Sequence, residues 1–367
     1  MSKPLHILVV EPFYGGSHRS FLEGVVRRSR HRWTLLTGKP VHWKWRSRSA
    51  PLELAQAAEA ILSQGLPDVV VGSDMLDLPC WRGLLRRDEM AGIPTGIYFH
   101  ENQWTYPLSP AARADFHFGY TNLLTALAAD ACWFNSAFHR EEFLRASRSF
   151  VGRMPDAQAA HDFEHLQSIS SVIPPGFDPP ADLSPPAEER SRHSIRIGWV
   201  SRWEYDKRPD RFLQLLALLE RQGVNFRLVL AGPRPRRDPP ELLQLRDLYA
   251  DRIEHDGYCQ LRSEYWEMLS SVDVVVSTAD HEFFGIAVCE SIWAGAAAVL
   301  PGRLSYPELV HADSLYQDLE QAAAMIAQLR DPQQRKQQNR SNRQRLMTLR
   351  MSETVPLLDD AIERLAG

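Results

Sequence analysis

Residues 272–295 read VDVVVSTADHEFFGIAVCESIWAG, and this stretch decides how the rest of the chain is read. Residues 272–278 are a short, apolar, β-branched run, the pattern of a buried strand. Residues 286–294 read as a helix packed against it. The turn between them carries Glu282, Phe283, Phe284 and Gly285. A strand, a glycine-bearing turn and a helix N-terminus form an anion site, because unpaired N–H groups point outward and the helix dipole favours negative charge. Gly285 has no side chain to hold a phosphate away. Glu282 lies in the loop, and Glu290 lies one turn into the helix with its side chain leaning back toward the N-terminus. Carboxylates repel phosphate but suit the sugar hydroxyls on either side of one. The stretch therefore outlines a nucleotide-sugar site; a solvated strand–helix turn is the competing reading.

The 367 residues suggest two domains of ordinary size. Hydrophobic residues are 44% and charged residues 24%, as in globular proteins. The net charge of −4 means that a nucleic-acid partner needs a local basic patch. Cys80, Cys132, Cys259 and Cys289 are scattered, without zinc spacing or a disulfide framework. All four are expected to be reduced and at least partly buried. The opening MSKPLHILVVEP has too short an apolar run for a signal peptide, and no stretch approaches a membrane span. A cytoplasmic protein is the expectation.

Outward from the central stretch, the same strand–turn–helix grammar recurs. Residues 5–10 read as a strand, followed by Gly15 and Gly16 and by a helix that Ser17 is expected to cap. The glycine pair either accepts an anion or shapes a tight turn. Residues 33–37 read as a second strand. Beyond it His42, Trp43, Lys44, Trp45 and Arg46 interleave aromatic and basic side chains, able to stack unpaired bases and meet phosphates, or to pack on their own domain. A helix is expected over 52–62 and strands over 68–71 and 95–99. His100, Glu101 and Asn102 follow the last of these, where ligands bind in α/β sheets. His100 either bonds a ligand or is satisfied structurally. A helix over 116–129, a strand over 130–135, a helix over 138–145, an irregular stretch over 146–171 and a last strand over 171–178 complete this half. A Pro-, Glu- and Ser-rich segment to about residue 194 reads as a linker.

The second half opens with a strand over 195–200 and a loop bearing Arg202 and Lys207. Asp210 is expected to cap the next helix. Arg202 can fork onto phosphate oxygens and Lys207 adds a point charge. A strand over 226–231 ends at Gly232, and Arg234, Arg236 and Arg237 follow as a further RNA contact or solvated charge. Residues 253–258 bring Tyr258 near the place of a nucleotide base. Helices follow from 317, with a closing one over 351–365.

The blocks FYGGSH at Phe13, HWKWR at His42, YFHENQ at Tyr98, DFHFGY at Asp115, FNSAFH at Phe134, RWEYDK at Arg202 and STADHEFFG at Ser277 resemble the retaining glycosyltransferases of family 4. More narrowly they resemble the tRNA-queuosine alpha-mannosyltransferases. The resemblance implies an α/β GT-B fold: two Rossmann-like domains with the active site in the interdomain cleft. The expected parts are an acceptor domain over 1–180, a linker over 181–194, a nucleotide-sugar domain over 195–345, and a helix within 346–367 crossing back.

It also implies transfer of mannose from GDP-mannose to queuosine at the tRNA wobble position, with the anomeric configuration retained. Gly15 and Gly16 would lie near the donor phosphates, while Arg202 and Lys207 neutralise the leaving diphosphate without a metal. N–H groups around Phe284, Gly285 and Ile286 would assist. Glu282 would hold mannose hydroxyls, Glu290 the ribose, and His100 would lie near the mannose; Gly232 and Tyr258 complete the donor site. His18, His42, Trp43, Lys44, Trp45, Arg46, Glu101 and Asn102 are the candidate acceptor contacts. The expected partners are queuosine-containing tRNA and the nucleotide sugar, with no cofactor, metal or membrane. The resemblance implies front-face attack assisted by a donor phosphate oxygen rather than an enzyme nucleophile. The rival readings are another donor or a lipid or small-molecule acceptor, and a non-catalytic tRNA- or nucleotide-binding protein.

Overall fold

A computed structural model describes residues 3–106, 115–156, 162–181, 183, 194–233 and 238–367. The expected linker and the arginines at 234, 236 and 237 fall largely or wholly outside these residues. The chain divides into two compact units, Met1–Asp178 with Met351–Gly367, and Pro179–Arg350.

The first unit carries β1 (His6–Glu11), α1 (Gly16–Arg28), β2 (Arg32–Thr37), α2 (Trp43–Leu62), β3 (Val69–Ser73), α3 (Leu78–Leu84) and β4 (Thr95–Phe99). Then come α4 (Phe116–Leu127), β5 (Ala131–Phe134), α5 (Ala137–Val151), α6 (Asp162–Ser168) and β6 (Ser170–Val172). The second unit carries β7 (Ile195–Val200), α7 (Pro209–Arg221), β8 (Phe226–Ala231), α8 (Pro240–Tyr249), β9 (Ile253–Gly257), α9 (Arg262–Ser270) and β10 (Val274–Val276). It continues with α10 (Ile286–Trp293), β11 (Ala297–Pro301), α11 (Tyr306–Leu309), β12 (Leu315–Tyr316), α12 (Leu319–Gln328) and α13 (Pro332–Leu346). The closing helix α14 (Met351–Ala366) returns to the first unit.

Each unit holds a parallel sheet of six strands among the described residues, in the orders β2-β1-β3-β4-β5-β6 and β12-β11-β10-β7-β8-β9. Strands buried on both faces are dominated by apolar and small residues, as β3, β4 and β11 are. Both orders reverse direction once, between β1 and β3 and between β7 and β10. At such a switch point the loops leaving the carboxyl ends part and open a crevice. The fold thereby singles out the loops after β1, β3, β7 and β10.

Helices cover the sheets along apolar stripes. α7 buries Phe212, Leu215, Leu216 and Leu219 at helical spacing, and Phe212 stacks on Trp199 of β7 at 5.3 Å. α14 buries Met351, Val355, Leu358 and Ile362 in the same cluster as Phe21 and Val25 of α1. Gly24 permits that approach: a Cβ there would lie 2.1 Å from the Met351 sulfur. Ser29 then donates to Asp359 at 2.6 Å.

Several local expectations are corrected. α2 begins at Trp43, nine residues before the expected start at 52, and runs through Pro51 behind a buried stripe of Ala50, Leu54, Ala55, Ala58 and Leu62. That burial offsets the lost hydrogen bond of an interior proline. Among the described residues of 146–171, α5 runs to Val151 and the short α6 and β6 follow, so this stretch holds regular elements where none was expected. α6 buries Phe163 and Leu166 but is too brief to show a period. Ser17 lies inside α1, whose N-cap is Gly15. Asp210 lies inside α7, whose N-cap is Arg208 in the left-handed region at φ 54°, and its carboxylate pairs with Arg208. Cys80 is exposed rather than partly buried, on the outer side of α3. No helix among the described residues is long and apolar enough to cross a membrane.

Candidate active site

In the second unit the loops after β7 and β10 are tied together around Lys207. Its ammonium is buried, 2.7 Å from the His281 carbonyl, 3.1 Å from Asp206 Oδ2 and 3.4 Å from Glu282 Oε2. The ammonium donates to the His281 carbonyl and to Glu282, and Asp206 stands beside it as a counter-charge. Thr278 donates to the Lys207 carbonyl at 2.9 Å, and the Asp280 N–H donates to the Asp206 carbonyl at 2.8 Å. Asp280 also gathers Arg208, Arg211 and Arg303. From the far side Ser305 donates to the Phe284 carbonyl at 2.9 Å, while Tyr306 bonds Ser277 at 2.6 Å. The loop is therefore fixed by partners far along the chain.

Charge explains the choice of residues. Burial works against the Lys207 ammonium, yet Glu282 and Asp206 outweigh it and hold its pKa above the usual value. Burial likewise opposes the Glu282 carboxylate, and Lys207 overcomes it and keeps the group below its usual range. His281 is pushed down to about 4 by burial and by Lys207, so it is neutral at physiological pH. Arg202 is exposed and acts on both Lys207 and Glu282.

Gly285 caps α10 in the left-handed region at φ 101°, with Leu309 and Tyr306 crowding the place of a Cβ. The Phe284 N–H faces Glu282 Oε1 at 3.5 Å, so it is directed at the carboxylate rather than outward. Ile286 is half-buried at the first turn of α10. Glu290 is buried, and both its oxygens are engaged, one by Arg262 and the other by the Tyr265 hydroxyl at 2.8 Å. A ligand hydroxyl reaches Glu290 only by displacing one of them, and Arg262 is the more exposed. Gly232 has no room for a side chain, because the Ser201 carbonyl would lie 1.8 Å from a Cβ. Tyr258 is exposed just past β9.

In the first unit the switch point gathers a second polar cluster. Glu11 ends β1, fully buried, and accepts from the Phe13 N–H at 2.8 Å and the Ser73 hydroxyl at 3.0 Å. Its other oxygen meets His18 Nδ1 at 3.0 Å. Asp74, just past β3, accepts from the His100 N–H at 2.9 Å. The His18 and His100 rings lie 4.1 Å apart. Burial opposes charge on His18, but Glu11 overcomes it and lifts the pKa to about 9. Burial, then the positive His18, then His139 push His100 well below the usual imidazole value. Burial raises Asp74 to about 7, with His18 opposing. Glu11, His18 and His100 each offer a ligand atom within 4.8 Å of the others. His18 Nδ1 already serves Glu11, and we assign no metal there.

Two acceptor candidates face inward. His18 is buried against Glu11 and His100 and has no open face for RNA. Asn102 is fully buried, and its side-chain oxygen accepts from the N–H groups of Trp104 and Thr105. Glu101 is half-buried. Gly15 packs on Pro40, whereas Gly16 opens on free space at φ 54°. His42, Trp43, Lys44 and Trp45 are exposed, but Arg46 turns inward and pairs with Glu53. Sequence reading missed Glu11, Asp74, Asp206 and Asp280, whose only signal is a carboxylate directly after an apolar strand or beside a basic loop residue.

The raised pKa of His18 has a measurable consequence. A group that binds its proton more tightly when folded stabilises fully below its unfolded value of 6.5, and that stability disappears as pH rises through about 9. The contribution is roughly 3 kcal/mol. Urea unfolding at about pH 7 and about pH 9.5 should show wild type losing that much more than His18→Gln. Equal losses in both proteins would remove the charged His18.

A family model described as tRNA-queuosine alpha-mannosyltransferase N-terminal matches residues 6–177. A second, described as glycosyl transferases group 1, matches residues 185–345. The tRNA-queuosine alpha-mannosyltransferase of Drosophila melanogaster is 32% identical over 323 residues, covering 86% of this chain and 84% of the relative. The chain belongs to the tRNA-queuosine alpha-mannosyltransferase family. It is a glycosyltransferase with the GT-B fold. A GDP-mannose-dependent alpha-(1-6)-phosphatidylinositol dimannoside mannosyltransferase of Mycobacterium tuberculosis is 28% identical over 260 residues, covering 70% of this chain and 63% of the relative. Among solved structures, sucrose-phosphate synthase of Thermosynechococcus elongatus superposes with a TM-score of 0.72 at 16% identity, covering 99% of this chain and 98% of that one. A glycosyltransferase of Rickettsia africae gives 0.70 at 13% identity, covering 99% of each. At those identities the likeness is one of fold.

Proposed function

We propose that the protein transfers mannose from GDP-mannose to the queuosine nucleoside at the tRNA wobble position, with the anomeric configuration retained. The observation that carries this reading is the similarity to the fly tRNA-queuosine mannosyltransferase across most of both chains. The mycobacterial relative, by its description, uses GDP-mannose, which supports that donor.

As the bond from the sugar to the diphosphate breaks, negative charge builds on the phosphate. Arg202 and Lys207 meet it, with the N-terminus of α10 adding its dipole. Lys207 is buried and already bonds the His281 carbonyl and Glu282 in the resting site, so a phosphate oxygen binds it by exchange. Its longest contact, 3.4 Å to Glu282, is the one that yields to a phosphate oxygen. The exchange frees the Glu282 carboxylate for sugar hydroxyls. No residue serves as a nucleophile: the acceptor hydroxyl attacks the face the phosphate leaves, and a phosphate oxygen takes its proton. Glu290 holds the ribose once Arg262 moves aside. The roles of Gly15, Gly16 and His100 at the donor rest on the family resemblance.

Incubation with GDP-mannose and queuosine-containing tRNA, followed by nucleoside mass spectrometry, should show a hexose added to queuosine. No product, or equal product on tRNA with unmodified guanine at the wobble position, would remove the assignment. Glu290→Gln should raise the donor KM about tenfold while kcat changes less, as expected for a contact made equally in ground and transition states. Steady-state kinetics check this, and an unchanged KM would take the ribose away from Glu290.

A further inference from the structure

We infer that the outer face formed by the N-terminal ends of α2 and α4 and the C-terminal end of α5 is a stacking platform for the unpaired bases of an RNA loop. The inference rests on the tRNA acceptor proposed above and says which surface receives it.

Five aromatic side chains are exposed among the described residues: Trp43, Trp45, Phe116, Tyr120 and Tyr258. Four of the five lie at the starts of α2 and α4. An apolar ring left in water is costly on a surface with no partner, and grouping four of them on two neighbouring helix ends marks an interaction site. The two ends are joined. The Trp43 ring lies 5.0 Å from Phe118, and Arg48 pairs with Asp115 at 3.7 Å. On the other side of α4, Phe116 and Tyr120 share one helix face and meet Phe150 at 5.4 and 6.1 Å. Beneath, Trp104 stacks on Phe150 at 4.4 Å and lies flat on Gly119, where a Cβ would come within 2.4 Å of the indole. Trp43, Phe116 and Tyr120 therefore stand on packed aromatic side chains.

The charges identify the occupant. Lys44 stands 5.5 Å from the exposed Trp43 ring, Arg48 4.9 Å from the buried Phe118 ring beneath, and Arg153 5.8 Å from the Phe150 ring. The chain as a whole is net negative, so the cations here are a local feature rather than a general one. Ring faces alternating with cations match alternating bases and phosphates, the chemistry of single-stranded nucleic acid. A hydrophobic protein partner would leave Lys44 and Arg153 buried without a counter-charge of the kind Asp115 gives Arg48.

The test uses the full chain and a fluorescein-labelled RNA hairpin with an open loop, beside a fully paired duplex of the same length. Trp45→Ala with Phe116→Ala and Tyr120→Ala should weaken hairpin binding at least about tenfold, since each stacked base contributes on that scale. Duplex binding should change less than about threefold. Arg153→Ala should lower the salt dependence of hairpin binding by about one ion. All these side chains are exposed or peripheral, and an unchanged thermal midpoint confirms the fold. Hairpin binding by the triple variant equal to wild type overturns the platform and leaves the tRNA acceptor standing. Equal loss on hairpin and duplex overturns it too, because stacking then plays no part. Failure of the wild type to bind either RNA removes the acceptor reading itself.

Discussion

Lys207→Ala should lower kcat/KM for glycosyl transfer about a thousandfold, the scale of losing a preorganised group at the site of developing charge. The proposed role requires a positive charge that does not move and does not titrate away near neutral pH. The structure supplies both conditions. Glu282 and Asp206 raise the pKa of Lys207 against its burial, and the His281 carbonyl fixes the ammonium at 2.7 Å. The substitution also harms the fold, which must be separated from the chemistry. Asp206 is buried, and neither of its oxygens has an aligned hydrogen-bond donor among the described residues; the ammonium at 3.1 Å is its counter-charge. Stranding one member of a buried pair costs roughly 3–5 kcal/mol. Lys207→Met combined with Asp206→Asn removes both charges and should recover most of the thermal stability. It should recover none of the activity. Turnover of the double variant within about tenfold of wild type would show that Lys207 serves the fold alone.

The parts of the chain that could be read from sequence are those whose stability is local. β4, β7 and β8 occupy the spans their apolar runs suggest, because a strand buried on both faces tolerates little else. β10 is shorter than its run, since Ser277 and Thr278 leave the ladder to bond Tyr306 and the Lys207 carbonyl. α2 was hidden by Pro51, which reads as a helix start and proves to be a helix interior. Ser17 and Asp210 have the chemistry of caps, yet glycine and a left-handed arginine take those places. Lys207 was visible as a basic residue of the loop after a strand, and Glu282 as a charge beside Gly285. What holds them was not. The Lys207 contact to His281 spans 74 residues and the Asp280 contact to Arg208 spans 72, and no spacing rule connects such partners. Glu290 was read as free for a ligand because Arg262 and Tyr265, which occupy it, come from the preceding helix.

Glu282→Gln should lower kcat about a hundredfold and Glu282→Ala about a thousandfold, with the thermal midpoint little changed in the first. As the donor bond breaks, positive charge develops on the sugar ring. A carboxylate beside it stabilises that charge; the amide of glutamine keeps the shape and hydrogen-bonding reach but not the charge. Lys207 holds the Glu282 pKa below its usual range despite burial, so the carboxylate is ionised throughout pH 6–9, and its titration should not appear in the rate profile there. A wild-type rate for Glu282→Gln would remove the electrostatic role. The exchange proposed for Lys207 makes a sharper demand. If the ammonium must release Glu282 to take the phosphate, the two side chains act as one device. Their effects then fall short of multiplying, and Lys207→Ala with Glu282→Gln should be little slower than Lys207→Ala alone. Losses that multiply in full would mean two independent contacts, and the 3.4 Å bond between them would be a feature of the resting site without a part in turnover.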